Sequence, residues 1–121
     1  VVETGSELIA GSTRMKAGTA QKAILNMLST AIMSKLGRVY KGYMVDMVIS
    51  NKKLEIRALN MISDIANCSE QTARSALMKA DRNIKIAIVI SMGQSLDKSI
   101  DILAKAHGNL RNALTMIDAK N

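Results

Sequence analysis

The run Gly5-Ser6-Glu7-Leu8-Ile9-Ala10-Gly11-Ser12-Thr13-Arg14-Met15-Lys16-Ala17-Gly18-Thr19-Ala20-Gln21-Lys22 concentrates the chemistry of this sequence. Its glycines and small residues let backbone approach a ligand closely. Ser12 and Thr13 offer hydroxyls where a helical pattern begins, and a helix start presents free N–H groups and partial positive charge. Arg14 and Lys16 add fixed positive charge in what would be the first turn. Bases there oppose the macrodipole, so they are poor choices for stability alone; a bound anion or a nearby carboxylate would resolve the conflict. The pattern is not G-x-G-x-x-G, and Gly11 lacks the Gly-Lys-Ser/Thr that completes a P-loop. Two readings stay open on these residues: an anion or sugar-phosphate site, and an ordinary capped helix with solvated bases.

The elements that must position this loop read as follows. Val1-Val2-Glu3 resembles the end of a β-strand, which needs pairing partners that the rest of the chain hardly supplies. The expectation is therefore a piece of a longer protein whose sheet lies upstream. Ser12 or Thr13 is a good N-cap for a long helix. Ala20, Ile24, Leu25, Met27, Leu28, Ala31, Ile32 and Leu36 follow at helical spacing, in a stripe wide enough to predict burial on several sides. Gly37 stands where a left-handed C-cap belongs. Residues 38–50 form a connector that holds both aromatics, Tyr40 and Tyr43. A second helix fits Asn51 to about Asn67, capped by Asn51, with Leu54, Ala58, Met61, Ile62 and Ile65 on one face.

The remaining sequence repeats. Residues 69–88 align with 95–114: Ser69 with Ser95, Leu77 with Leu103, Lys79-Ala80 with Lys105-Ala106, Asn83 with Asn109, Ala87 with Ala113. Ile84/Leu110, Lys85/Arg111 and Ile88/Leu114 are conservative pairs. Each copy reads as cap Ser, helix, turn, cap Asn, helix, a repeated helical hairpin. With the helix before it, one hairpin makes a three-helix unit like the ubiquitin-associated fold, whose plain role is packing.

Composition sets the outer bounds. Hydrophobic residues make up 48% of the 121 residues and charged residues 22%, with no Pro, Phe or Trp and nine Met. That predicts a mostly α chain with an aliphatic and thioether core. The single Cys68 precludes an internal disulfide and reads as a small filler near a helix end. No apolar run approaches the ~18 residues of a membrane span, so a soluble, cytoplasmic protein is expected. The formal charge is +7, from 17 basic and 10 acidic residues, which attracts anions in general. A basic helical DNA-binding module is the weaker alternative, because Lys and Arg are scattered over all helices and only two aromatics exist for stacking. His107 lacks a second His or Cys partner and is read as a polar turn residue, not a metal ligand. Asp46 is placed to cap or bridge, Lys22 to be either a helix-surface or salt-bridging residue or a ligand, and the tyrosines to anchor the connector or meet a partner subunit.

The loop also resembles the shared motif of the N-acetylmuramic acid 6-phosphate etherase and glucokinase regulatory protein family. There Gly-Pro-Glu is followed by Gly-Ser-Ser/Thr-Arg, an aliphatic residue, Lys, small residues and a later Lys. Gly11-Ser12-Thr13-Arg14-Met15-Lys16-Ala17-Gly18-Thr19 and Lys22 fit, while Ser6 stands where Pro is usual. Leu25-Asn26-Met27-Leu28 and Met44-Val45-Asp46 extend the likeness, and the etherase branch fits better. The resemblance implies that residues 1–50 close a sugar-isomerase (SIS) domain of α/β fold and that 51–121 form a helical bundle. It implies a cytoplasmic homodimeric lyase of peptidoglycan recycling that splits the D-lactyl ether of an amino-sugar phosphate. Carboxylates upstream would do the catalysis, without metal or cofactor, and no residue of this chain is assigned a catalytic role. Ser12, Thr13, Arg14 and Lys16 would then line or support the sugar-phosphate pocket, and Glu7 would bind or orient rather than act as base. A non-catalytic sugar-phosphate-sensing regulator is the alternative within the same family.

Overall fold

The computed structural model describes residues 1–11 and 13–119. The chain is mostly helical and divides into two compact units, Val1–Lys35 and Leu36–Asn121.

The first unit is an irregular segment followed by helix α1, Met15–Lys35. No Pro interrupts α1, and its one glycine, Gly18, lies in the first turn. The expected burial on several sides does not occur. α1 has no buried residue, and Leu25, Met27, Leu28 and Ile32 are each more than half exposed. The reason lies in what its own unit can bring to it. Val1, Val2 and Thr4 reach Ala17, Ala20, Gln21, Ile24 and Leu25 across a shallow cleft and go no further along the helix. Val1–Glu3 also form no strand, since a strand needs a hydrogen-bonding neighbour. Among the described residues the only β pairing lies elsewhere, in the connector.

The second unit holds the core. Gly37 ends the path out of α1 with φ 69°, in the left-handed region expected of it. Residues 39–44 then make a β-hairpin that the sequence does not announce. β1, Val39–Tyr40, pairs antiparallel with β2, Tyr43–Met44, and Lys41 and Gly42 both take positive φ at the turn. That is the geometry matching strand twist, although Asn-Gly is its usual sequence. Val45, 1% exposed, roots the connector in the core.

α2, Lys52–Ala66, is capped by the Asn51 side chain on Leu54 N–H and ends at Asn67 in left-handed conformation. Its buried face is Ala58, Leu59, Met61, Ile62 and Ile65, the spacing of one amphipathic side. Cys68 packs half-buried against the core after that cap. Four shorter helices follow: α3 Glu70–Lys79, α4 Ile84–Ser91, α5 Leu96–Lys105 and α6 Leu110–Asp118. Their N-caps are Ser69, Asn83, Ser95 and Asn109, each accepting from the backbone N–H three residues on, as a capping side chain does. α4 packs against α2, α3 and α5, so it is the centre of the bundle.

Candidate functional site

The Gly5–Lys22 run forms a loop that doubles back onto the start of α1. The first intrahelical bond runs from Gly18 N–H to the Arg14 carbonyl, so Met15 opens the helix. Of the two expected caps, Thr13 does not serve. Thr13 is half-buried and its hydroxyl oxygen, buried, has no hydrogen-bond partner among the described residues. Ser12 lies outside the described residues. The cap comes from Glu7 instead: Oε2 accepts from Lys16 N–H at 3.1 Å and Oε1 from Ala17 N–H at 3.0 Å. A carboxylate at a helix N-terminus satisfies orphan donors and complements the dipole. Of the two ways out of the charge conflict in the first turn, the nearby carboxylate is the one the chain adopts. Each Glu7 oxygen thus accepts one backbone N–H of the helix start.

Lys16 completes the closure. Its Nζ donates to the Ser6 carbonyl at 2.8 Å, so Lys16 is tied to the residue preceding its own cap. Gly5 and Gly11 take φ of 70° and 72°, the turns by which the chain reverses on either side of the exposed Leu8 and Ile9. Arg14 is exposed, and among the described residues its guanidinium enters no ion pair. Lys22 is exposed on α1. Among the described residues of the loop, the Thr13 hydroxyl and the Arg14 guanidinium remain able to meet an anion. Two of the N–H groups that a phosphate would ordinarily seek at the helix start, those of Lys16 and Ala17, are already taken. Sequence alone could not have found the Ser6 and Glu7 partnerships, because the bonded residues are nine or ten positions apart and match no local capping pattern.

The clefts and ion pairs elsewhere serve packing. The cleft beside the first turns of α1, about 380 Å³, is lined mainly by Val, Ala, Ile and Leu and suits hydrocarbon, not phosphate. In the second unit Asp46 bridges Lys85 at 2.8 Å and Arg38 at 3.4 Å. Lys85 Nζ also donates to the Gly108 carbonyl at 3.0 Å. Arg111 lies 5.3 Å from the Tyr40 ring centre and Lys41 5.7 Å from it, within cation–π range. Tyr43 donates its hydroxyl to Asp64 at 2.5 Å. That bond, reinforced by the Asp64 charge, holds the phenol above its ordinary pKa. Both tyrosines thus anchor the connector to its own helices. His107 sits exposed in the α5–α6 turn with φ 51°.

The family model describing the C-terminal lid domain of glucokinase regulatory protein matches residues 41–103. The N-acetylmuramic acid 6-phosphate etherase of Pseudothermotoga lettingae is 47% identical over 93% of this chain and 38% of its own length. That of Petrotoga mobilis is 50% identical over 86% of the chain and 35% of its own length. That of Bacillus subtilis is 47% identical over 93% of the chain and 38% of its own length. The chain spans less than two fifths of the length of the curated relatives it matches. It belongs to the glucokinase regulatory protein and N-acetylmuramic acid 6-phosphate etherase family and corresponds to the C-terminal portion of the etherases.

Proposed function

We propose that this chain supplies part of the sugar-phosphate site of a lyase acting on N-acetylmuramic acid 6-phosphate. The observation that carries the reading is the 47% identity to an etherase across 93% of the chain. The intact enzyme would release D-lactate and N-acetylglucosamine 6-phosphate. A carboxylate would take the C2 proton of the open-chain sugar, an acid would assist departure of lactate, and water would add at C3. Those carboxylates belong to parts of the protein outside this chain. Residues 1–50 would close the SIS domain of a soluble, cytoplasmic homodimer. Ser12, Thr13 and Arg14 would hold the sugar phosphate, with Glu7 and Lys16 in support.

The test is Arg14→Ala in the intact enzyme. A positioned guanidinium gives charge-assisted hydrogen bonds to phosphate worth about 1.5–3 kcal/mol, so affinity falls by at least tenfold. Unchanged affinity and turnover would remove Arg14 from the site. The match to a regulatory protein's lid domain favours a second reading, a module that binds sugar phosphate without turnover. Release of D-lactate by the intact protein decides between the two.

A further inference from the structure

We infer that Glu7 and Lys16 are positioning residues: they clasp the loop that presents Thr13 and Arg14, and neither touches the sugar phosphate. The inference rests on the site reading above and assigns two of its residues a different task. Its basis is the set of three bonds that cross the loop. The Glu7 carboxylate receives Lys16 N–H and Ala17 N–H, and the Lys16 ammonium donates to the Ser6 carbonyl. All three bonds run one way: the Lys16–Ala17 side of the closure donates and the Ser6–Glu7 side accepts. Each oxygen of Glu7 accepts one of them, and Lys16 spends its one recorded hydrogen bond on protein backbone.

Two consequences follow from that geometry. The partial positive charge at the start of α1 is met internally by Glu7, so it does not draw in a ligand anion. The loop ends are brought together as in a compact Ω-loop, whose own contacts hold its shape. The clasp brackets Thr13 and Arg14, with Ser6 and Glu7 before them and Lys16 and Ala17 after; among the described residues the Thr13 hydroxyl has no hydrogen-bond partner and the Arg14 guanidinium no ion pair. Loss of either arm of the clasp shifts those two groups without removing any of their atoms, and misplacement of about 1 Å is enough to cost orders of magnitude in a catalytic site.

The experiment uses the intact protein with N-acetylglucosamine 6-phosphate as the probe. Glu7→Gln, Lys16→Met and the double variant are compared with Arg14→Ala. In the ligand-free protein, amide exchange at Lys16 and Ala17 speeds up in both single variants, which a role confined to ligand contact would not produce. Probe affinity falls about tenfold in each single variant, and the double variant falls no further, because one broken arm already opens the clasp. The salt dependence of binding stays that of the wild type in Lys16→Met, since no ligand ion pair has been removed. Unchanged exchange at Lys16 and Ala17 in Glu7→Gln overturns the clasp. So does a flattened salt dependence in Lys16→Met, which would make the ammonium a ligand contact. If Arg14→Ala alone leaves affinity unchanged, the site reading fails instead, and the exchange data still report on the clasp.

Discussion

The two helical hairpins, α3–α4 and α5–α6, follow the same backbone path and carry different burdens. Their Ser caps share φ near −70° (−67° and −70°), and their Asn caps share φ and ψ within a few degrees. Their turns repeat the same four bonds: Ala80, Asp81, Arg82 and Asn83 donate to Ala76, Met78, Leu77 and Ala80, and Ala106 to Asn109 repeat the set. Yet α4 buries three consecutive residues, Ala87, Ile88 and Val89, each fully inaccessible. α6 buries only a stripe, Leu110, Ala113, Leu114 and Ile117, with Met116 39% exposed. The sequence difference is Val89 against Thr115. Local caps and turns set the path of a hairpin, and neighbours on all sides set what its side chains are worth.

The strongest way to break that contrast is truncation at an equivalent pair. Ile88→Ala in the central helix costs about 4 kcal/mol, while Leu114→Ala in the peripheral one costs about 2–3 kcal/mol. Urea denaturation of the purified chain measures both, as a fall in midpoint at unchanged slope. Equal losses would mean that α6 is as enclosed as α4.

A second difference lies at the Asn caps. Asn109 packs on Gly37, where an added Cβ would stand 2.7 Å from its Nδ2 and 2.9 Å from its Cγ. The left-handed φ of Gly37 adds backbone strain to that collision. Gly37→Ala therefore costs about 2–3 kcal/mol. Because the clash is with Asn109, adding Asn109→Ala recovers part of the loss, a coupling that a double-mutant cycle reads directly. Additive losses would show that the approach of connector and cap is not the cause.

The equivalent bases sharpen the comparison further. Lys85 and Arg111 occupy the same place in the repeat and both turn to the connector, by different chemistry. Lys85, 14% exposed at its side chain, serves the Asp46 carboxylate and the Gly108 carbonyl together. Arg111 is exposed and meets the Tyr40 ring. Lys85→Met is expected to cost about 1–2 kcal/mol through a charged hydrogen bond in a partly buried setting. Arg111→Met should lose about 0.5 kcal/mol or slightly more, as an exposed cation–π contact does. A reversed order in thermal or urea midpoints would place the connector's main anchor on the second hairpin.

What the sequence reveals follows the same division between local and non-local causes. Asn51, Ser69, Asn83, Ser95 and Asn109 are legible as caps because a capping bond spans only three residues. Gly37 is legible because left-handed backbone favours glycine. The β-hairpin at 39–44 is hidden, since Lys41-Gly42 lacks the usual turn signature. The burial of α1 is overstated because periodicity reports that a face is apolar, not what covers it. At the candidate site the loop and its residue types are plain in the sequence. The roles of Glu7 and Lys16 are not, because their partners are far along the chain and only the folded loop brings them together.

The smallest expected effects reverse sign between the hairpins. The last turn position before each Asn cap is left-handed, Arg82 at φ 63° in one copy and Gly108 at φ 72° in the other. Glycine adopts that region without steric cost, whereas a side chain there costs roughly 1 kcal/mol. At Gly108 an added Cβ meets nothing nearer than Lys85 Nζ at 3.9 Å, so space is not limiting. Gly108→Ala therefore loses about 1 kcal/mol from backbone conformation alone. Arg82→Gly removes the same strain from the first hairpin. It also gives up an exposed ion pair with Glu55 at 3.6 Å and frees the unfolded chain, two opposing effects that offset part of the gain. The net is a stabilisation of about 0.5 kcal/mol, visible as a small rise in melting temperature. A fall on Arg82→Gly would show that the Glu55 contact outweighs the backbone strain, and that the two turns, alike in their four backbone hydrogen bonds, are held by different forces.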